Sequence, residues 1–262
     1  MMRYGVCCGP DGAEAAAAVG YEYIEWTTGS LLAPREPDDT FAARLEQVRS
    51  AALPCPVVNC FIPGDLKITG TAVDDAALSQ FVSIACCRAK TAGVEQIVFG
   101  SGGARAIPDG FDPSVGHAQL VSFATMAAEE AAANDVVIVL EPLNVTECNV
   151  LNTVGECTEF VKQVAHPHFQ LLVDSYHLLL DDDAIEDIVA GAEWLTHVHV
   201  ATVPSRRPPE AEPCDFGPFF KALADAGYSG RLSLETAAYD PANELAPALS
   251  SMKSLEHAAR SA

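Results

Sequence analysis

Short apolar segments alternate along the chain with longer alanine-rich or amphipathic segments. Short apolar runs are typical of strands that are buried on both faces, whereas the longer segments carry the spacing of helices. The predicted strands are 4–8, 21–26, 56–61, 95–100, 136–141, 169–174, 196–200 and 231–235. The predicted helices are 13–19, 41–52, 74–92, 114–134, 153–165, 183–191, 216–227 and 241–259.

Strict alternation of strand and helix predicts a parallel sheet with right-handed crossovers, and eight such units are the number that closes a barrel. The 262 residues suit one (β/α)8 TIM barrel, and we find no linker or low-complexity stretch. We therefore predict an α/β fold with a single TIM-barrel domain over residues 1–262. Gly20, Gly93, Gly191 and Gly227 follow helical segments and are expected to serve as left-handed C-terminal caps.

Four of the predicted strands end in a side chain that can bind a metal, namely Glu141, Asp174, His199 and Glu235. A single acid at a strand end is often a helix cap, and a single histidine in an apolar strand is usually a core residue. Four together at the carboxyl ends of consecutive strands are harder to explain in that way, because unpaired buried carboxylates are costly. The pattern therefore predicts a divalent-metal site at the catalytic face of the barrel.

The donor set narrows the choice of ion. Three carboxylates and one imidazole suit Mn²⁺, Mg²⁺, Co²⁺ or Zn²⁺, and the predominance of oxygen favours the harder ions. We expect one divalent ion as the cofactor, with Mn²⁺ as the first choice and the other three as alternatives.

The segments LEPLNVTECNVLNT, LLVDSYHLLLDD, HVHVA and LSLETAAYD resemble motifs of the xylose-isomerase-like TIM-barrel superfamily. The similarity is greatest to its sugar isomerase and epimerase branch, which includes the ketohexose 3-epimerases, and to uncharacterised bacterial members. The resemblance implies that Glu141 and Glu235 bind the metal and also act as the acid/base pair. It further implies that Asp174 and His199 complete the coordination.

The same resemblance implies substrate contacts. Glu147 lies six places after the first metal glutamate, and His177 lies three places after the metal aspartate, as in the epimerases. After His199 the relatives have an Asp, an Arg and a Pro-Gly-x-Gly turn, whereas this chain has Thr202, Ser205 and the run RRPPEAEP. With a shift of one residue, Arg206 takes the place of the family arginine and is predicted to bind substrate. The divergent loop 202–214 leaves the substrate open.

The resemblance implies a divalent-metal-dependent isomerase or epimerase of a sugar, keto sugar or related polyol. Its chemistry would be proton transfer through a metal-stabilised enediolate. Two alternatives remain: an inosose-dehydratase-like lyase on the same scaffold, and a noncatalytic sugar-binding or partner subunit. The expected partner is a small carbohydrate, and a homo-oligomer is left open.

Charge and cysteine usage bear on partners and location. The chain has 36 acidic and 15 basic residues, a formal net charge of −21, which repels nucleic acid and anionic membranes. Its nine cysteines include adjacent pairs and no Cys-x-x-Cys, so we expect reduced thiols and no structural zinc. Without a recognisable secretory signal or membrane span, a cytoplasmic protein is expected.

Three further polar residues keep two interpretations each. Glu25 and Asn59 end predicted strands, so they either line the pocket mouth or cap a neighbouring segment. Arg105 follows the glycines of VFGSGGAR, which either cradle an anion or simply form a tight turn.

Overall fold

The computed structural model describes residues 1–261. Its strands are β1 Arg3–Cys7, β2 Tyr23–Thr27, β3 Val57–Asn59, β4 Gln96–Phe99, β5 Val137–Leu140, β6 Phe169–Asp174, β7 Leu195–Val200 and β8 Arg231–Leu234. Its helices are α1 Ala13–Val19, α2 Thr28–Leu31, α3 Asp38–Arg49, α4 Asp75–Ala92, α5 Gly102–Arg105, α6 Pro113–Ala133, α7 Val154–Val164, α8 Ser175–Leu180, α9 Asp187–Ala190, α10 Gly217–Asp225 and α11 Leu245–Ser261, with a 3-10 turn at Pro10–Gly12. No helix within residues 1–261 is long and apolar enough to cross a membrane.

The eight strands are all parallel and follow one another around a closed barrel in the order of the sequence. The barrel closes where β1 pairs with β8, with Val6 opposite Leu234. This confirms the predicted (β/α)8 fold. Because the strands are parallel, all eight carboxyl ends lie at the same mouth of the barrel.

Two apolar clusters hold the fold together. A small one fills the inside of the barrel and consists of Tyr23, Val57, Val98, Val139 and Leu172. A larger one lies between the strands and the surrounding helices. Above the small cluster, toward the carboxyl ends, the inward-facing positions become polar, which is where a site can form.

Helix ends show how local sequence fixes the elements. Helix α7 begins with a capping box, in which Thr153 and Glu156 each bond the other's backbone. Gly20, Gly93 and Gly227 have positive φ angles of 99°, 76° and 68°, as predicted for left-handed caps. The prediction was wrong for Gly191, whose φ is −90°. A Cβ there would press against Thr158 and Leu171, so close packing explains that glycine.

Some element boundaries differ from the prediction. The helix predicted over 183–191 is reduced to α9, because Asp183 accepts hydrogen bonds from the backbone N–H groups of Val154 and Ala184 instead of continuing a helix. The last helix begins at Leu245, after a turn in which Asp240 accepts from the N–H of Ala242. The short helices α2, α5 and α8, which follow β2, β4 and β6, were not predicted.

Candidate metal centre and active site

The four predicted ligand residues meet at the carboxyl mouth of the barrel. One ligand atom from each of Glu141, Asp174, His199 and Glu235 lies within 4.8 Å of all the others. Asp174 and His199 are opposite each other in the pairing of β6 and β7. Glu141 is 5% exposed, and Asp174 and His199 are fully buried. The barrel therefore concentrates three carboxylates and an imidazole where water is largely excluded.

A glycine and a helix cap position two of the carboxylates in this cluster. A Cβ on Gly100 would overlap the carboxylate of Glu141, which would have to shift to admit it. Asp174 caps α8 by accepting a hydrogen bond from the N–H of Tyr176 on Oδ1, at 2.7 Å. The cap uses Oδ1, so Oδ2 is the oxygen that faces the other ligands.

Glu25 lies directly beneath the cluster and bridges two histidines. Its Oε1 is 2.9 Å from Nε2 of His199, and its Oε2 is 2.9 Å from Nε2 of His197. Ser233 also donates to Glu25, at 2.6 Å, and lies 2.9 Å from the Tyr23 hydroxyl. Glu25 is therefore a buried carboxylate that orients both imidazoles, which answers the question left open for it: it neither caps a helix nor lines the mouth.

The bond from Nε2 of His199 to Glu25 leaves Nδ1 as the nitrogen that faces the cluster. With the Nε2 proton directed at Glu25, Nδ1 faces Glu141 Oε1 at 3.1 Å and Glu235 Oε2 at 3.3 Å. A bare nitrogen lone pair would repel both oxygens, so a proton or a cation must lie between them. Burial opposes protonation, yet the carboxylates of Glu25 and Glu235 raise the pKa of His199 well above its ordinary value. The donor set and its geometry fit a divalent ion.

The carboxylates of the cluster experience different environments. Burial, reinforced by the charge of Glu235, raises the pKa of Glu141. Burial also raises the pKa of Asp174 to about 6, although Arg206 partly opposes the shift. For Glu235, the charges of His199 and Arg206 outweigh burial and lower the pKa to about 2. A buried cation would favour the charged form of all three carboxylates.

Arg206, from the loop after β7, reaches into the cluster. Its guanidinium forms an ion pair with Glu235 and lies 3.3 Å from Asp174 Oδ2 and 3.6 Å from Glu147 Oε1. It also stacks 4.7 Å from the centre of the Tyr176 ring. The divergent loop thus still delivers an arginine to the site, as the shifted alignment predicts, and here it neutralises two of the predicted metal ligands.

The two other predicted substrate contacts lie beside the cluster. His177 Nδ1 accepts hydrogen bonds from the backbone N–H and the side-chain amide of Asn144, at 3.1 and 2.8 Å. Burial lowers the pKa of His177, which favours a neutral ring with its proton on Nε2. That atom has no hydrogen-bond partner within residues 1–261 and lies 3.6 Å from Asp174 Oδ2. Glu147 is exposed and accepts a hydrogen bond from the Asn144 side-chain amide at 3.0 Å.

Arg105 does not support the anion-binding interpretation of the glycine-rich segment. Its guanidinium is fully buried and donates to the backbone carbonyls of Phe99, Glu141 and Leu151, at 3.2, 2.8 and 3.0 Å. Its role in the structure is to fix the backbone around the end of β5. The same bonds hold the main chain of Glu141 in place.

Several residues of the site were not singled out from the sequence: His197, Ser233, Tyr23, Asn144, Tyr176 and Cys7. A signal for some of them was available. Inward positions in a strand recur every second residue. Tyr23, His197 and Ser233 each lie two places before a residue that was singled out, namely Glu25, His199 and Glu235, and so face the same side of their strands. Which inward groups bond one another depends on the register between distant strands.

A protein-family model described as "Xylose isomerase-like TIM barrel" matches residues 13–257. The match covers nearly the whole chain, and the protein belongs to this family. The fold is thus that of a family that the sequence motifs already resemble.

Among curated proteins, the chain is 33% identical over 109 residues to a D-psicose 3-epimerase of Ruminiclostridium cellulolyticum. That match covers 41% of this chain and 37% of the relative. It is 29% identical over 131 residues to a 3-dehydro-D-guloside 4-epimerase of Escherichia coli, covering 48% of this chain and 50% of the relative. The chain therefore matches half or less of the length of these relatives.

Solved structures share the whole fold. A structure of L-ribulose 3-epimerase superposes with a TM-score of 0.84 at 18% identity, covering 99% of this chain and 96% of the other. A D-allulose 3-epimerase from Methylomonas sp., in complex with D-allulose, has a TM-score of 0.82 at 22% identity, with 97% and 96% covered. These neighbours and the curated relatives are named as enzymes, in agreement with the prediction from the sequence.

Proposed function

We propose that the protein is a divalent-metal-dependent epimerase or isomerase of an uncharged keto sugar or related polyol. The observation that carries the proposal is the pair of contacts from Nδ1 of His199 to Glu141 and Glu235. They place two carboxylates around a single point at which a positive charge is required. An ordinary sugar-binding site has no need of two poised bases there.

The ion would be held by Glu141, Asp174, His199 and Glu235. Mn²⁺ is the first candidate because oxygen donors predominate. When bound, the ion would stabilise negative charge that develops on the oxygen of a substrate carbonyl. Arg206 would leave Glu235 and Asp174, because their charges are then compensated, and turn its guanidinium toward substrate hydroxyls.

The two glutamates would move the proton. One carboxylate removes the hydrogen from the carbon next to the carbonyl, and the other returns a proton from the opposite side. Return to the same carbon gives an epimer, whereas return to the neighbouring carbon gives an isomer. His177, with its Nε2 proton facing the cluster, would donate a hydrogen bond to a substrate oxygen, and Glu147 would accept one from a hydroxyl.

The charges around the site support an uncharged substrate. Arg105 is engaged with backbone carbonyls and Arg207 forms an ion pair with Glu244, so neither is free to bind a phosphate. Arg206 lies 3.6 Å from Glu147, which is not a proposed metal ligand, so that carboxylate offsets its charge when the ion is bound. The D-allulose and D-tagatose held by two solved neighbours are sugars of this uncharged kind.

The test is an NMR screen of free ketoses and matched ketose phosphates in D₂O, with protein stripped of metal and reloaded with Mn²⁺. We expect solvent deuterium to enter the carbon next to the carbonyl of at least one free ketose, together with formation of its epimer or isomer. If a ketose loses a hydroxyl group and no epimer or isomer forms, the protein is a dehydratase instead. Turnover that is unchanged after exhaustive chelation would contradict the metal role.

A further inference from the structure

Cys7 lies at the edge of the carboxylate cluster and has no part in the proposed reaction. It ends β1, and the pairing of Val6 with Leu234 places it beside Glu235 at the mouth of the barrel. In the other direction Cys7 pairs with Glu25 of β2. Its thiol therefore faces inward among the oxygen and nitrogen ligands.

The thiol belongs to a second set of metal-binding donors. Cys7 Sγ, a ring nitrogen of His199 and a carboxylate oxygen of Glu235 lie within 4.8 Å of one another. Asn59, at the end of β3, points at the same place: its Nδ2 is 3.7 Å from Cys7 Sγ and 3.3 Å from Glu235 Oε1. Asn59 is 6% exposed, and its Oδ1 has no hydrogen-bond partner within residues 1–261.

The two donor sets differ in chemical character. Glu141 and Asp174 supply oxygen to the first set, which suits harder ions such as Mn²⁺ and Mg²⁺. Replacing them by a thiolate gives sulfur, nitrogen and oxygen, a combination that suits Zn²⁺, Co²⁺ and Cd²⁺. Because His199 and Glu235 belong to both sets, the site can hold one ion at a time, in one position or the other.

We propose that Cys7, His199 and Glu235 form a second metal position, which binds a thiophilic divalent ion in place of the ion held by Glu141 and Asp174. Binding releases the thiol proton to solvent, and no other bond is made or broken apart from those to the ion. The inference rests on the proposed function only in that the two positions share ligands. An ion in this second position draws Glu235 away from the substrate, so zinc should inhibit the manganese enzyme.

The experiment is a Co²⁺ titration of metal-free protein, followed by ultraviolet absorption, because a cobalt thiolate bond gives a charge-transfer band that oxygen and nitrogen ligands do not. We expect the band in the unaltered protein at one equivalent of Co²⁺. The band should disappear in the Cys7→Ser variant. It should persist in two control variants, Cys60→Ser and Cys87→Ser; Cys87 lies on the exposed face of α4. Cd²⁺ affinity should fall about tenfold or more in Cys7→Ser, while Mn²⁺ affinity should stay unchanged.

Three outcomes would overturn the inference. Stoichiometric binding of Co²⁺ without the band would show that Cys7 is not a ligand, while leaving the manganese enzyme intact. A band that persists in Cys7→Ser would assign the sulfur to another cysteine. Failure of both Co²⁺ and Mn²⁺ to bind at all would reject the metal centre itself, and with it the proposed function.

Discussion

The imidazole of His199 lies between the carboxylate of Glu25 on one side and the carboxylates of Glu141 and Glu235 on the other. Nε2 is bound to Glu25, whereas Nδ1 faces Glu141 and Glu235. A carboxylate behind a ligating histidine fixes the tautomer and orientation of the ring and raises its basicity. Glu25 touches no proposed substrate position, so its contribution is to position His199.

Replacement of Glu25 by glutamine should test that contribution. The amide is nearly the same size but lacks the charge that holds both imidazoles, so Mn²⁺ affinity should fall about 10- to 100-fold. Isothermal titration calorimetry on metal-free protein measures this, with exposed Glu14→Gln on α1 as the matched control. An unchanged affinity in a folded Glu25→Gln protein would show that the bridge is only structural.

Gly100 offers a second test at the scale of one residue. A methyl group there would displace the carboxylate of Glu141, so Gly100→Ala should lower Mn²⁺ affinity about tenfold and reduce turnover with it. Gly29→Ala is the control, since a Cβ at that position meets nothing within 4 Å. If calorimetry finds the two variants equally close to the unaltered protein, Gly100 has no role in placing Glu141.

Individual site residues could be predicted from the sequence where they end a strand or match a motif of the family. The four strand-end ligands were found because the carboxyl ends of parallel strands share one mouth, and the structure brings them together. The role of Glu25 was left open, because its bonds to His197 and His199 join β2 to β7 across the barrel. The role of Arg105 was left open as well, because its carbonyl partners Phe99 and Leu151 lie at the end of β4 and in the segment before α7.

Among the elements, the strands were predicted more reliably than the short helices. Buried apolar runs identify strands directly, and all eight were found. Helices such as α2 and α8 are too short to show a periodic pattern, and they form because side chains such as Asp174 cap them. These short helices turn the chain at the mouth of the barrel and so position the site.

The first strand and the last helix are joined by one buried carboxylate. Glu256 on α11 accepts from the backbone N–H of Met2 and from the Tyr4 hydroxyl, each at 2.8 Å, and from Arg260 at 2.9 Å. Burial raises its pKa, but these hydrogen bonds more than offset that and hold the pKa of Glu256 below its ordinary value. The contact therefore favours the ionised carboxylate.

Glu256→Gln should lower the free energy of unfolding by about 1 to 2 kcal/mol at pH 7, because charge-assisted hydrogen bonds are lost. A lowered pKa contributes stability that is present above the ordinary carboxylate pKa and is lost as pH falls through the folded value. The difference from the unaltered protein should thus shrink below about pH 4. Urea denaturation across pH measures it, with exposed Glu129→Gln as control; a difference independent of pH would contradict this interpretation.

For the whole molecule, the closed barrel brings the proposed catalytic groups from distant parts of the chain to one mouth. The overall fold could be predicted from the alternation of strands and helices in the sequence, since eight units close a barrel. The substrate could not be predicted, because the sequence of the loop 202–214, which reaches the site, differs from the family motif. Its conformation places Arg206 on Tyr176 and the carboxylates through contacts that no local pattern encodes.

We propose above that Glu141 and Glu235 flank one metal ion and that both move the proton. The most direct measurement is exchange of solvent deuterium into a bound ketose by the Mn²⁺-loaded protein and by Glu141→Gln and Glu235→Gln. Metal content is measured in the same samples. We predict exchange by the unaltered protein and its loss in each variant even where the ion is retained. Full exchange surviving in both variants would rule out proton transfer by Glu141 and Glu235.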